Sequence, residues 1–243
     1  MKAMILAAGL GTRLRPLTDT RPKALVEING RTLLEITLTR LRSFGVNEVI
    51  INVHHFADMV ADYVKSHNNF GMRIEISRED DLLLDTGGGL KKAAWFFLEK
   101  SRYSPPEPFL LHNVDVISTI DLRRMLQFHN EHHALATLAV QSRSSSRQLL
   151  FNDQSHLVGR AAPIATRDSR VALAFSGIHI ISPRLLPLLT EEGVFSIIDA
   201  YLRLAAQGEK ILAFRADEYY WRDLGRPADL SQAALDLQQR IRL

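Results

Sequence analysis

The sequence predicts an α/β fold with a Rossmann-like, mostly parallel sheet flanked by helices, and a small β-rich lobe. Three observations support this prediction. Apolar runs typical of strands alternate with segments of helical spacing through residues 1–141. The first run, residues 3–8, carries no charge, as expected of a strand that helices cover on both faces. Beyond Gln141, short strand-like pieces replace the alternation.

The helices of the first half are predicted from apolar residues at helical intervals. In the first of them, Leu34, Leu38 and Leu41 share one face. Gly45 then provides a stop. The predicted elements after the opening strand are, in chain order, helix 32–44, strand 48–53, helix 56–67, strand 72–77, helix 87–100, strand 109–115, helix 120–132 and strand 134–141.

The second half begins with a predicted hairpin that turns at Asn152 and Asp153. Neither a linker nor an internal repeat occurs, so we expect a single domain over residues 1–243, with halves at about 1–141 and 142–243. The predicted elements of this half are strands 148–151, 156–159 and 171–181, helices 183–189 and 195–206, strands 211–215 and 220–223, and helix 227–241.

The loop after the first strand carries residue types that suit a polyphosphate. Gly9 and Gly11 let the backbone approach phosphate oxygens without an intervening Cβ. Arg13 and Lys23 follow on a segment that two prolines hold irregular, and they could bind different phosphates. Taken singly, an arginine or a lysine in a loop is more often a solvated surface residue. The spacing matches neither the Walker loop nor the dinucleotide-binding G-x-G-x-x-G pattern.

Residues 9–25, which contain G-L-G-T-R-L-R-P-L-T and then P-K-A-L, resemble the signature of the sugar-1-phosphate nucleotidyltransferases. Within this family, the chain is most similar to the branch of members with short chains. The N-acetylmuramate-1-phosphate uridylyltransferases and the mannose-1-phosphate guanylyltransferases resemble it most. The resemblance implies that a nucleoside triphosphate and a sugar 1-phosphate form a nucleoside-diphosphate sugar and pyrophosphate. It implies that Arg13 and Lys23 are the catalytic cations. The nucleotide-binding residues that it implies in this loop are Ala8, Gly9, Gly11 and Thr12.

Two aspartates resemble the family's ligands of its Mg²⁺ cofactor. Asp115 ends an apolar strand in an Asn-Val-Asp sequence where the family has Asn-Gly-Asp, so Val114 departs from the pattern. Asp223 lies in W-R-D-L-G, which resembles the family's W-x-D-x-G. Two carboxylates are enough for Mg²⁺, because this ion keeps several waters and also binds substrate phosphates.

Other motifs resemble the parts of the family that surround base and sugar. In D-T-G-G-G, the resemblance implies that Gly87 and Gly88 bind the nucleotide, although three glycines are also typical of a mobile turn. Asn113 and Gly177 are the implied sugar-binding residues. A glycine inside a strand indicates either a close approach or a simple bulge.

The chain lacks the Glu-Lys-Pro segment whose lysine holds the sugar phosphate in many longer relatives. Arg160, Arg167 and Arg170 are candidate replacements, and the sequence does not select among them. The short basic segment 142–147 is interpreted as a solvated connector. The two His-His pairs are interpreted as surface residues rather than metal ligands.

Composition limits the other functions. The chain has no cysteine, which excludes disulfides and thiolate metal sites and is typical of a reducing compartment. A strand follows Met1 almost at once and no apolar run reaches membrane-spanning length, so we expect a cytoplasmic protein without a membrane partner. The 30 basic and 27 acidic residues are dispersed and aromatics make up 7%, which disfavours nucleic acid as a partner.

Two alternatives to an enzyme stay open. The first is a non-catalytic sensor or scaffold for nucleotide sugars with the same fold, and the second is a basic nucleic-acid-binding module. The sensor is disfavoured because a protein that only binds need not keep both metal carboxylates. The choice of base and sugar, and whether the chain forms a homo-oligomer, are left open by the sequence.

Overall fold

A nine-stranded mixed sheet with helices on both faces forms the centre of the computed structural model, as the sequence predicts. The structure describes residues 1–99, 107–161 and 170–239. The predicted ends of helices 87–100 and 227–241 therefore lie outside the described residues. The strands are β1 (Lys2–Leu6), β2 (Glu27–Ile28), β3 (Arg31–Thr32), β4 (Glu48–Val53), β5 (Arg73–Arg78), β6 (Phe109–Asn113), β7 (Val116–Ser118), β8 (Ala136–Gln141), β9 (Gln148–Phe151), β10 (Leu157–Arg160), β11 (Val171–Ile181), β12 (Ile211–Arg215) and β13 (Trp221–Asp223).

The helices follow the predicted alternation. Thr32 caps the first of them, because its hydroxyl accepts a hydrogen bond of 3.0 Å from the backbone N–H of Glu35. Asp121 caps the fifth helix in the same way. The helices are α1 (Leu33–Ser43), α2 (Ala57–Ser66), α3 (Asp85–Lys92), α4 (Ala94–Leu98), α5 (Leu122–Glu131), α6 (Ile197–Ala206) and α7 (Pro227–Gln239).

The order of the sheet is β10-β9-β11-β6-β1-β4-β5, and β8 pairs with β11 and with β12. β5, β4, β1 and β6 are parallel neighbours. β11 runs antiparallel to β6 on one side and to β8 on the other. Since the β9–β10 hairpin pairs with the first half of β11, the predicted β-rich lobe extends the same sheet.

The position of β1 in the sheet explains why the run that begins at residue 3 carries no charge. Ala3 and Ile5 face one apolar layer, which includes buried residues of α1, α2, α5 and α7. Met4 faces the opposite layer, which includes α3, α4 and α6. All three side chains are completely buried. The two layers cover both faces of β1, as the apolar run predicts.

Some local predictions differ from the structure. Residues 183–188 form a 3-10 helix rather than an α-helix, since in an α-helix the ring of Pro187 would clash with the carbonyl four residues earlier. The helix predicted from residue 87 begins at Asp85 and is interrupted at Ala93. The strands β2, β3 and β7 were not predicted, because strands of two or three residues give little periodic signal, whereas β13 lies within the predicted strand 220–223.

Candidate active site

A cavity of ≈ 560 Å³ opens at the carboxyl ends of β1, β4 and β6. Ligands of open α/β sheets bind beyond this edge. The predicted site residues that line the cavity are Ala8, Gly9, Gly11, Thr12, Arg13, Lys23, Asn113 and Asp115. Residues far apart in the sequence thus meet at the edge that the first strand and its loop predict.

The loop after β1 turns at Gly11, which has a left-handed backbone conformation with φ of +65°. A Cβ here would lie 2.9 Å from the methyl group of Thr18 and 3.2 Å from Cβ of Lys23. The carbonyl of Gly11 accepts hydrogen bonds from the Leu14 N–H (2.8 Å) and the Thr18 hydroxyl (2.9 Å). The turn is therefore tight enough to exclude a side chain, and it carries Thr12 and Arg13 along the cavity wall.

Lys23 is buried, with 8% of its surface exposed, and its ammonium forms an ion pair with the carboxylate of Asp115. It begins a 3-10 turn, in which the Leu25 N–H donates to the carbonyl of Pro22 at 2.9 Å. This turn holds the base of the lysine, so its charge points to the end of β6. The predicted cation and the first predicted metal ligand are therefore in direct contact.

The ribbon β7–β13 brings the two predicted metal ligands together. Asp223 pairs with Val116, the residue after Asp115. The Leu224 N–H also donates to the backbone carbonyl of Asp115 at 2.8 Å. Burial, and next the negative charge of Asp115, raise the pKa of the Asp223 carboxyl above its usual range. Two neighbouring carboxylates create a demand for positive charge.

Arg13 contributes positive charge to this cluster. A Cβ added to Gly225 would lie 2.7 Å from Arg13 Nη2 and 2.7 Å from Asp223 Oδ1. The guanidinium and the carboxylate therefore approach each other over a residue that has no side chain. The charges of Lys23 and Arg13 act to lower the pKa of Asp223, against burial and Asp115.

The donor set of this cluster suits a hard divalent cation. Asp223 Oδ1 is buried and has no hydrogen-bond partner among the residues that the structure describes. Such an oxygen is unfavourable unless a cation or donor satisfies it. Within the described ranges there is no group of three or more His, Asp or Glu residues placed to hold a metal. Asp115 and Asp223 alone fit Mg²⁺, provided that waters and phosphates complete its ligands.

A second cavity of ≈ 450 Å³ shares Asp85, Thr86 and Asn113 with the first. Asp223 and the predicted sugar-binding residue Gly177 also line it. The two carboxylates thus lie at the junction between the cavities, because Asp115 lines the first and Asp223 the second.

Gly177 lies at a β-bulge and also closely approaches another residue, which are the two possibilities that a glycine inside a strand indicates. Its φ is +74°, and the pairing of β11 with β8 shifts register between Phe175 and His179, as at a bulge. A Cβ on Gly177 would also lie 2.8 Å from Nδ2 of Asn113. The glycine therefore makes room for the side chain of the other predicted sugar-binding residue.

The interpretation of residues 142–147 as a solvated connector is wrong for Arg143. Its guanidinium stacks 3.7 Å over the Trp221 ring, and Nη2 donates to the carbonyl of Phe175 at 2.8 Å. Arg143, Ser145 and Arg147 line the second cavity. The sequence could not show this, because the stacking partner lies on a distant strand.

Gly87 and Gly88 lie inside helix α3, so the alternative of a mobile turn is wrong. A Cβ on Gly87 would lie 2.3 Å from the Phe195 ring, and one on Gly88 would lie 2.4 Å from the carbonyl oxygen of Gly193. They are not among the described residues that line the first cavity, whereas Thr86 is. Close packing of α3 on the segment 193–195 accounts for these glycines, and their contact with nucleotide stays a prediction.

Asn52 lines the first cavity and was not identified from the sequence. Its Oδ1 accepts a hydrogen bond of 2.8 Å from the Ala7 N–H, and its Nδ2 donates to Glu79 at 2.8 Å. Asn52 therefore fixes the start of the loop after β1. The only sequence signal is a polar residue near the end of an apolar strand.

The candidates for the missing lysine differ in position. Arg160 lines the second cavity and forms an ion pair of 2.5 Å with Asp199. Arg167 lies outside the described residues, and Arg170 directly precedes β11.

None of the helices in the described part of the chain has the length and apolarity needed to cross a membrane.

A family model described as "Nucleotidyl transferase" matches residues 2–148. The N-acetylmuramate alpha-1-phosphate uridylyltransferase of Caulobacter vibrioides is 33% identical, over 98% of this chain and 96% of that protein. The chain belongs to the nucleotidyl transferase family, among the sugar-1-phosphate nucleotidyltransferases. The resemblance found in the sequence is thereby confirmed.

A second relative of this nucleotidyltransferase is longer than the chain itself, and a solved structure is similar in fold. The mannose-1-phosphate guanyltransferase of Candida albicans is 30% identical over 94% of this chain, which spans 62% of that protein. The solved inositol-1-phosphate CTP transferase of T. maritima superimposes with a TM-score of 0.73 over 100% of this chain and 98% of that chain, at 18% identity. The structural likeness supports the fold.

Proposed function

We propose that this nucleotidyltransferase condenses a nucleoside triphosphate with a sugar 1-phosphate, forming a nucleoside-diphosphate sugar and pyrophosphate. The observation that carries this proposal is the junction of the two cavities. Asp115 lines the first cavity beside Lys23 and Arg13, and Asp223 lines the second. A reaction between two anionic substrates needs charge compensation at the point where the substrates meet.

The proposed reaction is a displacement at phosphorus. An oxygen of the sugar 1-phosphate attacks the α-phosphorus of the triphosphate in line, a P–O bond forms, and the bond to the departing pyrophosphate breaks. The attacking oxygen is already anionic, so the enzyme need not supply a general base. Its task is to align two anions that repel each other and to compensate the charge that develops on the leaving group.

The residues of the first cavity supply these functions. The loop of Ala8, Gly9, Gly11 and Thr12 offers backbone groups to the triphosphate. Arg13 and Lys23 neutralise the transferred and departing phosphates. Lys23 is suited to this because it is held on a 3-10 turn and buried, so it loses little freedom when it binds.

We propose Mg²⁺ as the cofactor, held by Asp115 and Asp223. When bound, it would neutralise charge on the substrate phosphates and help to orient them. The buried, unpaired Oδ1 of Asp223 within the described structure supports this assignment. The pairing of Lys23 with Asp115 keeps an ammonium beside the same phosphates.

The proposed substrates on the sugar side are sugar 1-phosphates, bound in the second cavity by Asn113 and beside Gly177. The Caulobacter vibrioides relative, which matches this chain over 96% of its own length, is named for N-acetylmuramate 1-phosphate and uridylyl transfer. UTP with N-acetylmuramate 1-phosphate is therefore the first pair to test. The cytoplasmic location expected from the cysteine-free sequence is a part of this proposal.

The test is a screen of pyrophosphate release that crosses UTP, dTTP, CTP, GTP and ATP with several sugar 1-phosphates, with and without Mg²⁺. We expect release that requires both substrates and the metal. The Lys23→Ala variant serves as the control for contaminating activity. No release with any pair, together with tight binding of a nucleoside-diphosphate sugar, would instead support a sensor.

A further inference from the structure

Arg143 lines the second cavity and has no role in the reaction proposed above. Its guanidinium lies 3.7 Å from the centre of the Trp221 ring, and its Nη2 donates to the carbonyl of Phe175 at 2.8 Å. The indole N–H of Trp221 in turn donates to the carbonyl of Ser176 at 2.7 Å. The arginine is therefore held rigidly, by stacking on one side and by strand β11 on the other.

The fixed guanidinium has an unused donor. Its Nε is buried and has no hydrogen-bond partner within the described part of the chain. A buried donor without a partner is unfavourable unless a ligand accepts the hydrogen bond. Burial lowers the pKa of Arg143, and the negative charge of Asp223 opposes this effect. The carboxylate of Asp223, at the junction of the cavities, therefore stabilises the charged guanidinium, although no ion pair joins the two residues.

The other arginines of this cavity are placed less favourably. Arg160 is engaged in an ion pair with Asp199, and 47% of its side chain is exposed. Arg147 is exposed on the same segment as Arg143. A charge that is fixed before the substrate arrives loses little conformational entropy on binding, which favours the stacked arginine.

We propose that Arg143 binds the phosphate of the sugar 1-phosphate and holds it against the metal-binding carboxylates, in place of the family lysine that this chain lacks. The proposal rests on the proposed function, since it assigns one substrate of that reaction. A planar guanidinium can donate two parallel hydrogen bonds to phosphate. Trp221 and Phe175 position the fork and do not contact the phosphate.

The test compares steady-state kinetics of the wild type, Arg143→Ala, Arg143→Lys and the control Arg124→Ala. Arg124 is an exposed arginine on α5 that lines neither cavity. Its substitution by alanine therefore removes the same charge as Arg143→Ala, but away from the site. KM is measured for the sugar 1-phosphate at saturating triphosphate, and for the triphosphate at saturating sugar 1-phosphate. Thermal unfolding of each variant shows whether the fold is retained.

We expect Arg143→Ala to raise KM for the sugar 1-phosphate about tenfold or more, as for the loss of charged hydrogen bonds. KM for the triphosphate should stay within about twofold of the wild type, because uniform binding of only one substrate is lost. Arg143→Lys should show a smaller increase, since it keeps the charge and loses the fork. The control should match the wild type.

Three outcomes would overturn the proposal. The first is a folded Arg143→Ala variant whose KM for the sugar 1-phosphate is unchanged. The second is an equal rise of both KM values with a lowered unfolding temperature, which shows a structural role. The third applies if the alanine variant does not fold. It is an Arg143→Lys variant whose KM for the sugar 1-phosphate equals that of the wild type. A wild type that is inactive with every substrate pair would contradict the proposed function itself.

Discussion

Gly225→Ala tests whether the cations and carboxylates act as one cluster. The backbone of Gly225 is outside the left-handed region, so alanine fits its conformation. The new Cβ would nevertheless lie 2.7 Å from Arg13 Nη2 and 2.7 Å from Asp223 Oδ1. Each atom must move by roughly 0.8 Å to reach ordinary van der Waals distance. The substitution thus separates the proposed catalytic cation from the proposed metal ligand without removing either.

The expected effects on stability and on turnover differ. Replacing glycine by alanine at a compatible position stabilises a protein by about 0.4–1 kcal/mol through the unfolded state. The clash involves the far ends of side chains, and Arg13 is exposed and can move. We therefore expect the free energy of unfolding to change by less than about 1 kcal/mol. A displacement near 1 Å in a catalytic site can lower the rate about a hundredfold, so kcat/KM should fall roughly 10- to 100-fold.

The assay is pyrophosphate release with the best substrate pair, together with urea unfolding. Gly159→Ala is the matched control, because the nearest atom to its new Cβ within the described structure is Leu150 Cδ1 at 3.9 Å. This control should retain the kcat/KM of the wild type. Wild-type kcat/KM in a folded Gly225→Ala variant would refute the view that the spacing of Arg13 and Asp223 matters for catalysis.

Three further substitutions probe single parts of the site. Lys23→Ala should lower kcat at least about a hundredfold, since a charge that stabilises the transition state is lost; near-normal pyrophosphate release would exclude this role. Burial raises the pKa of Asp223, so the folded state binds its proton more tightly and stability falls as pH rises through that pKa. Asp223→Asn should therefore raise the melting temperature at neutral pH while it abolishes turnover, and a lower melting temperature would argue against this. Gly177→Ala, with φ of +74° and a Cβ 2.8 Å from Asn113 Nδ2, should cost about 1–2 kcal/mol in urea unfolding; unchanged stability would contradict the close packing.

The parts of the fold that the sequence predicted are those with a local cause. The uncharged run of β1 reflects burial on both faces, and the leucines of α1 mark its buried side. The β7–β13 ribbon has only three residues in each strand, and it forms because distant segments pair. Periodicity carries no information about such pairing.

In the candidate site, too, residues with a local sequence signal were predicted and residues defined by distant contacts were not. Arg13, Lys23 and Asp115 were predicted because a contiguous motif marks each of them, and the structure brings them to one cavity. Asn52 and Arg143 were missed because their roles depend on partners far along the chain, such as the backbone of Ala7 for Asn52. Hydrogen bonds between distant segments leave no pattern in a single sequence.

We infer that the two cavities hold two substrates, which react at the junction of the carboxylates. The most direct measurement is ³¹P NMR of a mixture of wild-type protein, Mg²⁺, UTP and N-acetylmuramate 1-phosphate, or the best pair from the screen. We expect the two substrates to disappear together, while equal amounts of pyrophosphate and a nucleoside-diphosphate sugar form. Cleavage of the triphosphate without incorporation of the sugar phosphate would contradict the account.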